Sequence, residues 1–304
     1  MSDHHTPLIS VITPFLNGGD WLQQAVESVI AQTYTNWQHI LIDDGSTPEA
    51  TAIAKAYTEK YPGKIIYTEH PSHVNKGVTA SRNRGIDQAT GELVAFLDSD
   101  DCWLPEKLEK QVQIYRDNPS VGMICEASKY WFSWENPAAD DIVIPVGSEQ
   151  NKLFQPPQLI YLLYPLGKGA APCPSGMIMT RKLLDDIDRF EEDFKGPNQV
   201  YEDQAFLCKI YLNSPVYISD SANNLYRQRS GSLMESISKR RQYLKVRSFF
   251  VAWMEKYLRE KQIADPRINR QLRKAKITSN NPGIYLLFTR IRSAIYRSVK
   301  INKS

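Results

Sequence analysis

The chain has 304 residues, 42% of them apolar and 23% charged, and a net charge of +3 at neutral pH. That length and balance suit a globular protein with one large α/β core and an appendage, and no run of eighteen apolar residues is present to span a membrane. Met1 to Pro7 lacks the apolar core of a signal peptide, and Cys102, Cys125, Cys173 and Cys208 lack metal-ligand spacing, so reduced thiols in a cytoplasmic protein are expected.

Leu8 to Thr13 reads as a strand stopped by Pro14. A helix follows from about Asp20 to Gln32, with Asp20 as N-cap and Leu22, Val26, Val29 and Ile30 on one face. Trp37 to Ile42 is a second strand that runs into Asp43-Asp44-Gly45-Ser46-Thr47. A helix from Pro48 to Tyr61 ends at Pro62-Gly63, Ile65 to Thr68 is a third strand, and Val78 to Gln88 is a third helix. The fourth strand, Leu93 to Leu97, is continuously apolar, as in a parallel sheet covered on both faces, and stops at Asp98, Asp100 and Asp101. A helix from Pro105 to Tyr115 and a strand from Gly122 to Cys125 follow. The alternation predicts right-handed crossovers and a doubly wound, mostly parallel, Rossmann-like α/β sheet.

Two acidic strand ends in one parallel sheet project from the same rim, where open α/β sheets bind ligands. Crowded carboxylates repel unless a cation or donors sit among them, and Mg²⁺ or Mn²⁺ shared with a phosphate meets that need. A solvated acidic turn capping the next helix is the other reading of Asp98 to Asp101. Neither a Gly-x-Gly-x-x-Gly turn nor a Gly-Lys-Ser/Thr phosphate loop is present, which argues against dinucleotide dehydrogenases and P-loop NTPases.

These segments resemble a family 2 glycosyltransferase of GT-A fold over about residues 8 to 230. The resemblance is carried by Ser10-Val11-Ile12-Thr13-Pro14 with Asn17, by Ser28 to Tyr34, and by Asp43-Asp44-Gly45-Ser46-Thr47. It continues in Asn75-Lys76-Gly77 with Ala80 to Gly85, in Leu97-Asp98-Ser99-Asp100-Asp101, and in Glu202-Asp203. It implies an inverting, metal-dependent transferase that takes a sugar from a nucleotide-sugar, UDP-linked, to a hydroxyl of a glycan or lipid-linked acceptor. Pro14, Asn17, Asp43 and Asp44 would border the base, with Phe15 supplying the stacking ring that the family usually places at Leu16. Asp98 and Ser99 would approach the ribose, and Asn75 and Arg82 would contact ribose and phosphate, or serve as a turn residue and a helix-start salt bridge. Asp100, with Asp98 and Asp101, would hold Mn²⁺ or Mg²⁺. Asp203 would be the catalytic base and Glu202 would position the acceptor, although acids at a helix start are favoured by the dipole in any case. Arg227 or Arg229 would clamp the diphosphate or stand as surface arginines.

Residues 1–236 are expected to form the catalytic domain, with a nucleotide-sugar half at about 8–125 and an acceptor half at about 126–236. In the latter, Trp131, Phe132 and Trp134 suit either sugar stacking or the core. Lys168 to Gly176 is expected to border the acceptor and to enter a strand at Met177 to Thr180. Residues 237–304 form a basic helical extension: Lys239 to Ser304 holds 18 Lys+Arg against 3 Asp+Glu, leaving 19 against 31 for the preceding 238 residues. An amphipathic helix is expected from Lys239 to Lys261, and another within 284–300. The latter is suited to an anionic membrane on its inner, cytoplasmic face, or to the catalytic domain, or to a second copy in a homo-oligomer. No nucleic-acid module is present. A nucleotide-sugar-binding scaffold without turnover, held at the membrane by this tail, is the alternative function.

Overall fold

All seven residues of β1 (Ile9–Phe15) and of β2 (Trp37–Asp43) are buried, polar Ser10, Thr13, Gln38 and His39 included, as strands covered on both faces must be. The computed structural model describes residues 5–229 and 240–280. With β3 (Ile65–Glu69) and β4 (Leu93–Phe96), these strands form a parallel sheet in the order β3-β2-β1-β4. The crossovers are α1 (Asp20–Ile30), α2 (Pro48–Lys60) and α3 (Val78–Gln88). Asp20 does not cap α1; Gly19, at φ 46°, precedes the helix and Asp20 is the acid of its first turn. α3 lies close on the sheet because Gly85 has no side chain: a Cβ there would fall 2.5 Å from Ile12 Cγ2.

Past β4 the alternation ends. In chain order come β5 (Cys102–Trp103), α4 (Lys107–Asp117), β6 (Met123–Trp131), β7 (Ile142–Ile144), β8 (Lys152–Phe154) and α5 (Gln158–Leu162). β9 (Met177–Thr180), α6 (Arg181–Asp186), α7 (Glu202–Asn213) and β10 (Val216–Arg227) follow. The main path is β3-β2-β1-β4-β9-β6-β10-β5, with β7 on β6 and β8 on β10. β9 inserts antiparallel between β4 and β6, while β10 runs parallel to β6. The sheet is therefore mixed, parallel in its first half and interleaved in its second. Short helices such as α5 and α6 cannot serve as parallel crossovers, whereas antiparallel neighbours tolerate short links. The strand expected to end at Cys125 continues to Trp131 because β7 and β10 pair with that extension. One apolar cluster, including Val11, Phe15, Leu22, Val26, Leu41, Leu108 and Val112, joins sheet and helices beneath the strand ends.

The chain divides into two units, Met1–Ser230 and Gly231–Ser304. In the second, α8 (Arg240–Glu260) packs with α9 (Pro266–Asn280). α9 starts at a proline whose missing N–H costs nothing there, and Asp265 Oδ1 caps the N–H groups of Arg267 and Ile268 at 2.8 and 2.9 Å. Ile268, Leu272 and Ala275 are buried at helical spacing. No described helix is long and apolar enough to cross a membrane. The amphipathic segment 284–300 lies outside the described residues.

Candidate active site

Three carboxylates follow β4, and each goes a different way. Asp98 Oδ1 accepts from Arg82 Nη2 at 2.7 Å, and its backbone N–H donates to Ser175 Oγ. Asp100 Oδ2 lies 2.9 Å from both Nε and Nη2 of Arg229. Asp101 turns inward, 1% exposed, and accepts from Ser175 Oγ at 2.6 Å and from the Arg227 N–H at 3.0 Å. Burial, then the charges of Asp100 and Asp98, push its pKa well up. Both Asp101 oxygens are thus spent inside the protein, and the side chain braces the β4 end against β10 instead of standing on the rim with its neighbours.

The β2 end is shaped by a glycine. Gly45 adopts φ 82°, and a Cβ on it would lie 2.8 Å from the Asn75 nitrogen, so the loops after β2 and β3 close only because it has none. Across that contact Asp44 accepts from the N–H groups of Lys76 at 2.7 Å and Gly77 at 3.0 Å. Asp43 is buried and accepts from Ser46 N–H, Thr51 Oγ1 and Tyr67 Oη. Asn17, at φ 62°, accepts from Thr47 N–H and donates its own N–H to Ser46 Oγ, which ties the loops after β1 and β2 together. Asn75 is exposed, Ser99 half-buried and Pro14 buried. Phe15, expected to stack on a base, is packed in the core at 2% exposure, and its neighbour Leu16 is the exposed one at 50%. Asp43, Glu69 and His73 converge closely enough to share an ion. Their atoms are already engaged, however, with Tyr67 bonding both carboxylates and His73 bonding Glu69 and the Ser46 carbonyl.

Arg82 joins the β4 end to the acidic start of α7. It is 2% exposed on α3, and it donates to Asp98 through Nη2 and to Glu202 Oε1 through Nη1 at 2.5 Å. Burial opposes its charge, but these two carboxylates outweigh that and hold its pKa above the ordinary arginine value. Glu202 and Asp203 open α7. Burial pushes the Asp203 pKa up to about 6, with Arg82 opposing. Asp203 accepts from the Gln204 backbone N–H at 2.7 Å and from Gln204 Nε2 at 3.2 Å. It lines a cavity of about 140 Å³ together with Tyr130, Tyr226, Gln204 and Ala170 to Cys173.

Arg227 is no surface residue. It is 5% exposed, donates to the Asp100 carbonyl at 2.6 Å and to Gln24 Oε1 at 2.7 Å, and lies 4.4 Å from the Trp131 ring and 4.8 Å from that of Trp134. Trp21 closes the cage at 5.7 Å. Arg229 is the part-exposed arginine of the pair. Among the described residues, Asp98 Oδ2 and Asp100 Oδ1 have no protein partner, and the two side chains are 26% and 29% exposed. That donor set fits a hard divalent cation, which takes one or two carboxylates and completes its shell from phosphate and water.

Residues 10–187 match the family described as Glycosyl transferase family 2. The chain belongs to glycosyl transferase family 2. Among relatives of this family 2 chain, the Bacillus subtilis protein named "Putative teichuronic acid biosynthesis glycosyltransferase TuaG" is 42% identical over 109 residues, 35% of this chain and 41% of that protein. The uncharacterized glycosyltransferase YibD of Escherichia coli is 43% identical over 104 residues, 34% of this chain and 29% of that one. The matches thus span less than half of these relatives. Staphylococcus aureus TarS 1-349, in complex with UDP-GlcNAc, superposes with a TM-score of 0.65 at 22% identity, covering 89% of this chain and 72% of that one. The mannosyltransferase PcManGT of Pyrobaculum calidifontis, in complex with GDP-Man and Mn²⁺, gives 0.62 at 16% identity, covering 98% and 83%. The fold is GT-A.

Several residues of this family 2 site carry no sequence signal of their own. Ser175 holds Asp101 and the Asp98 N–H from a 3-10 turn, Pro174–Gly176. Gln24 meets Arg227 across 203 residues. Trp131, Trp134 and Arg227 are candidates in the sequence, but not as partners of one another, and Trp21, the third ring around that arginine, carries no such signal.

Proposed function

We propose that this chain is an inverting, metal-dependent glycosyltransferase that moves a sugar from a nucleotide-sugar, UDP-linked, to a hydroxyl of a glycan or lipid-linked acceptor. The observation that carries this reading is the Arg82 bridge. One buried guanidinium grips both Asp98 at the sheet rim and Glu202, the neighbour of Asp203, which ties the donor end to the start of the helix that carries the proposed base. The nucleotide-sugars bound by TarS and PcManGT support the donor class.

In this reading Asp44 meets the nucleobase, while Pro14, Asn17 and Asp43 shape the loops around it. Asn75, Asp98 and Ser99 border the ribose. Mn²⁺ or Mg²⁺ on Asp100 and Asp98 would neutralise charge on the departing diphosphate as a Lewis acid. Asp203 takes the proton of the acceptor hydroxyl as that oxygen bonds to the anomeric carbon. The bond from that carbon to the diphosphate breaks with its electron pair on the phosphate oxygen, and attack from the opposite face inverts the centre. Arg82 and Glu202 position the start of α7, which carries the base. Arg229 is the cation free to turn toward the diphosphate once it releases Asp100.

UDP release from a panel of UDP-sugars with Mn²⁺ tests the reading. Asp203→Asn should keep UDP binding and lose turnover, and a near-normal rate would place the base elsewhere. Asp100→Asn should lose metal-dependent UDP binding, and unchanged affinity would remove the metal assignment. The basic tail is proposed to hold the protein peripherally on an anionic, inner-face membrane. Sedimentation with anionic liposomes after deletion of 282–304 reads that directly.

A further inference from the structure

Gln204 is 8% exposed on the wall of the Asp203 cavity, and its Oε1 has no hydrogen-bond partner. The other end of the amide is engaged, since Nε2 donates to Asp203 Oδ2 at 3.2 Å. That bond sets the orientation of the amide, because an ionised carboxylate accepts only. A buried acceptor left unmade is costly, and one on a residue that lines a cavity beside a base calls for a donor that arrives with a ligand. Two further groups wait there. The Tyr130 and Tyr226 rings lie 5.3 Å apart, and among the described residues neither hydroxyl has a partner. At about 140 Å³ the cavity is well below the roughly 300 Å³ at which drug-sized pockets begin, a size on the scale of one sugar ring. Tyrosine faces suit the C–H face of a pyranose, with its hydroxyls turned to the carboxylate and the amide.

We propose that Gln204 reads the hydroxyl next to the one that reacts, so that the acceptor terminus is a single sugar residue bearing a free vicinal diol. A carboxylate and an amide oxygen locked together through one hydrogen bond offer two acceptors side by side, as a vicinal diol offers two donors. The inference rests on Asp203 being the base and adds to it the class of alcohol that is used. A purely positioning role, in which Gln204 only orients Asp203 through Nε2, makes a different prediction.

The test uses the full chain with methyl β-glycosides of glucose, galactose and N-acetylglucosamine. Saturation-transfer NMR reads binding, and UDP release reads kcat/KM, with the dissociation constant replacing it where transfer is slow. The bound glycoside is then compared with its monodeoxy derivatives. In the wild type, loss of the hydroxyl beside the reacting one should cost about 10- to 100-fold. In Gln204→Met, a substitution of similar volume with no acceptor, that preference should collapse to within about threefold. Equal losses on the full and deoxy glycosides would reduce Gln204 to a support for Asp203 and overturn the inference. So would the absence of saturation transfer from every glycoside to the wild type. Failure of the base assignment shows separately, as near-normal UDP release by Asp203→Asn.

Discussion

Replacing the proposed base should strengthen the fold while it stops the chemistry. Burial pushes the Asp203 pKa up to about 6 from an ordinary 3.8, a difference that corresponds to about 3 kcal/mol. Because the folded-state value is the higher one, protonation favours the native state. The contribution of Asp203 to stability is fully present below about pH 4 and is lost as pH rises through about 6. Asn matches the shape, carries no charge and keeps an oxygen for the Gln204 N–H now 2.7 Å from Oδ1. Asp203→Asn should therefore exceed the wild type by about 1–3 kcal/mol at pH 8, the lower figure allowing for the half-buried side chain. In a unit of this size that is roughly 3–10 °C in Tm. Near pH 4 the advantage should shrink below about 1 kcal/mol. Urea unfolding followed by tryptophan fluorescence at pH 4, 6 and 8 measures it. A variant less stable than the wild type at pH 8, or an advantage that ignores pH, would refute the reasoning.

The same carboxylate should set the acid limb of activity, with kcat/KM falling below about pH 6 as the base is protonated; a limb two or more pH units lower would point to another base. Arg82→Gln leaves Asp98 and the 7%-exposed Glu202 without their shared cation, and should cost about 3–5 kcal/mol in thermal unfolding. A loss under about 1 kcal/mol would mean that the bridge holds little together. Arg229→Ala frees Asp100 Oδ2, and Mn²⁺ binding without nucleotide, followed by electron paramagnetic resonance, should tighten by up to about fivefold, since a part-exposed ion pair contributes at most about 1 kcal/mol. Unchanged Mn²⁺ affinity would show that the arginine does not compete for that carboxylate.

The first 100 residues were legible because each signal there is local. Short apolar-rich segments mark β1, β2 and β4, and carboxylates begin abruptly where β2 and β4 meet the rim at Asp43 and Asp98. The antiparallel insertion of β9 was not legible, since short helices and irregular loops between Glu126 and Gln199 carry no period that assigns a neighbour. The inward turn of Asp101 depends on Ser175 and the Arg227 N–H, partners 74 and 126 residues away. Phe15 looked like a base platform because it flanks the first loop, but a residue in the last position of a fully buried strand belongs to the core. The start of α9 carries a local signal of its own, Asp265 before Pro266, whose carboxylate caps the Ile268 N–H.

The cage around Arg227 has an optical consequence. Trp21, Trp131 and Trp134 surround a fixed positive charge whose Nε reaches the Asp100 carbonyl, and Arg229 stands over Trp21 at 5.2 Å. Indole emission responds to the local electric field, so any rearrangement of charge at Asp100 is written into the colour of these three rings. The protein carries its own unlabelled reporter for events at that strand end, readable in a cuvette before any acceptor has been found.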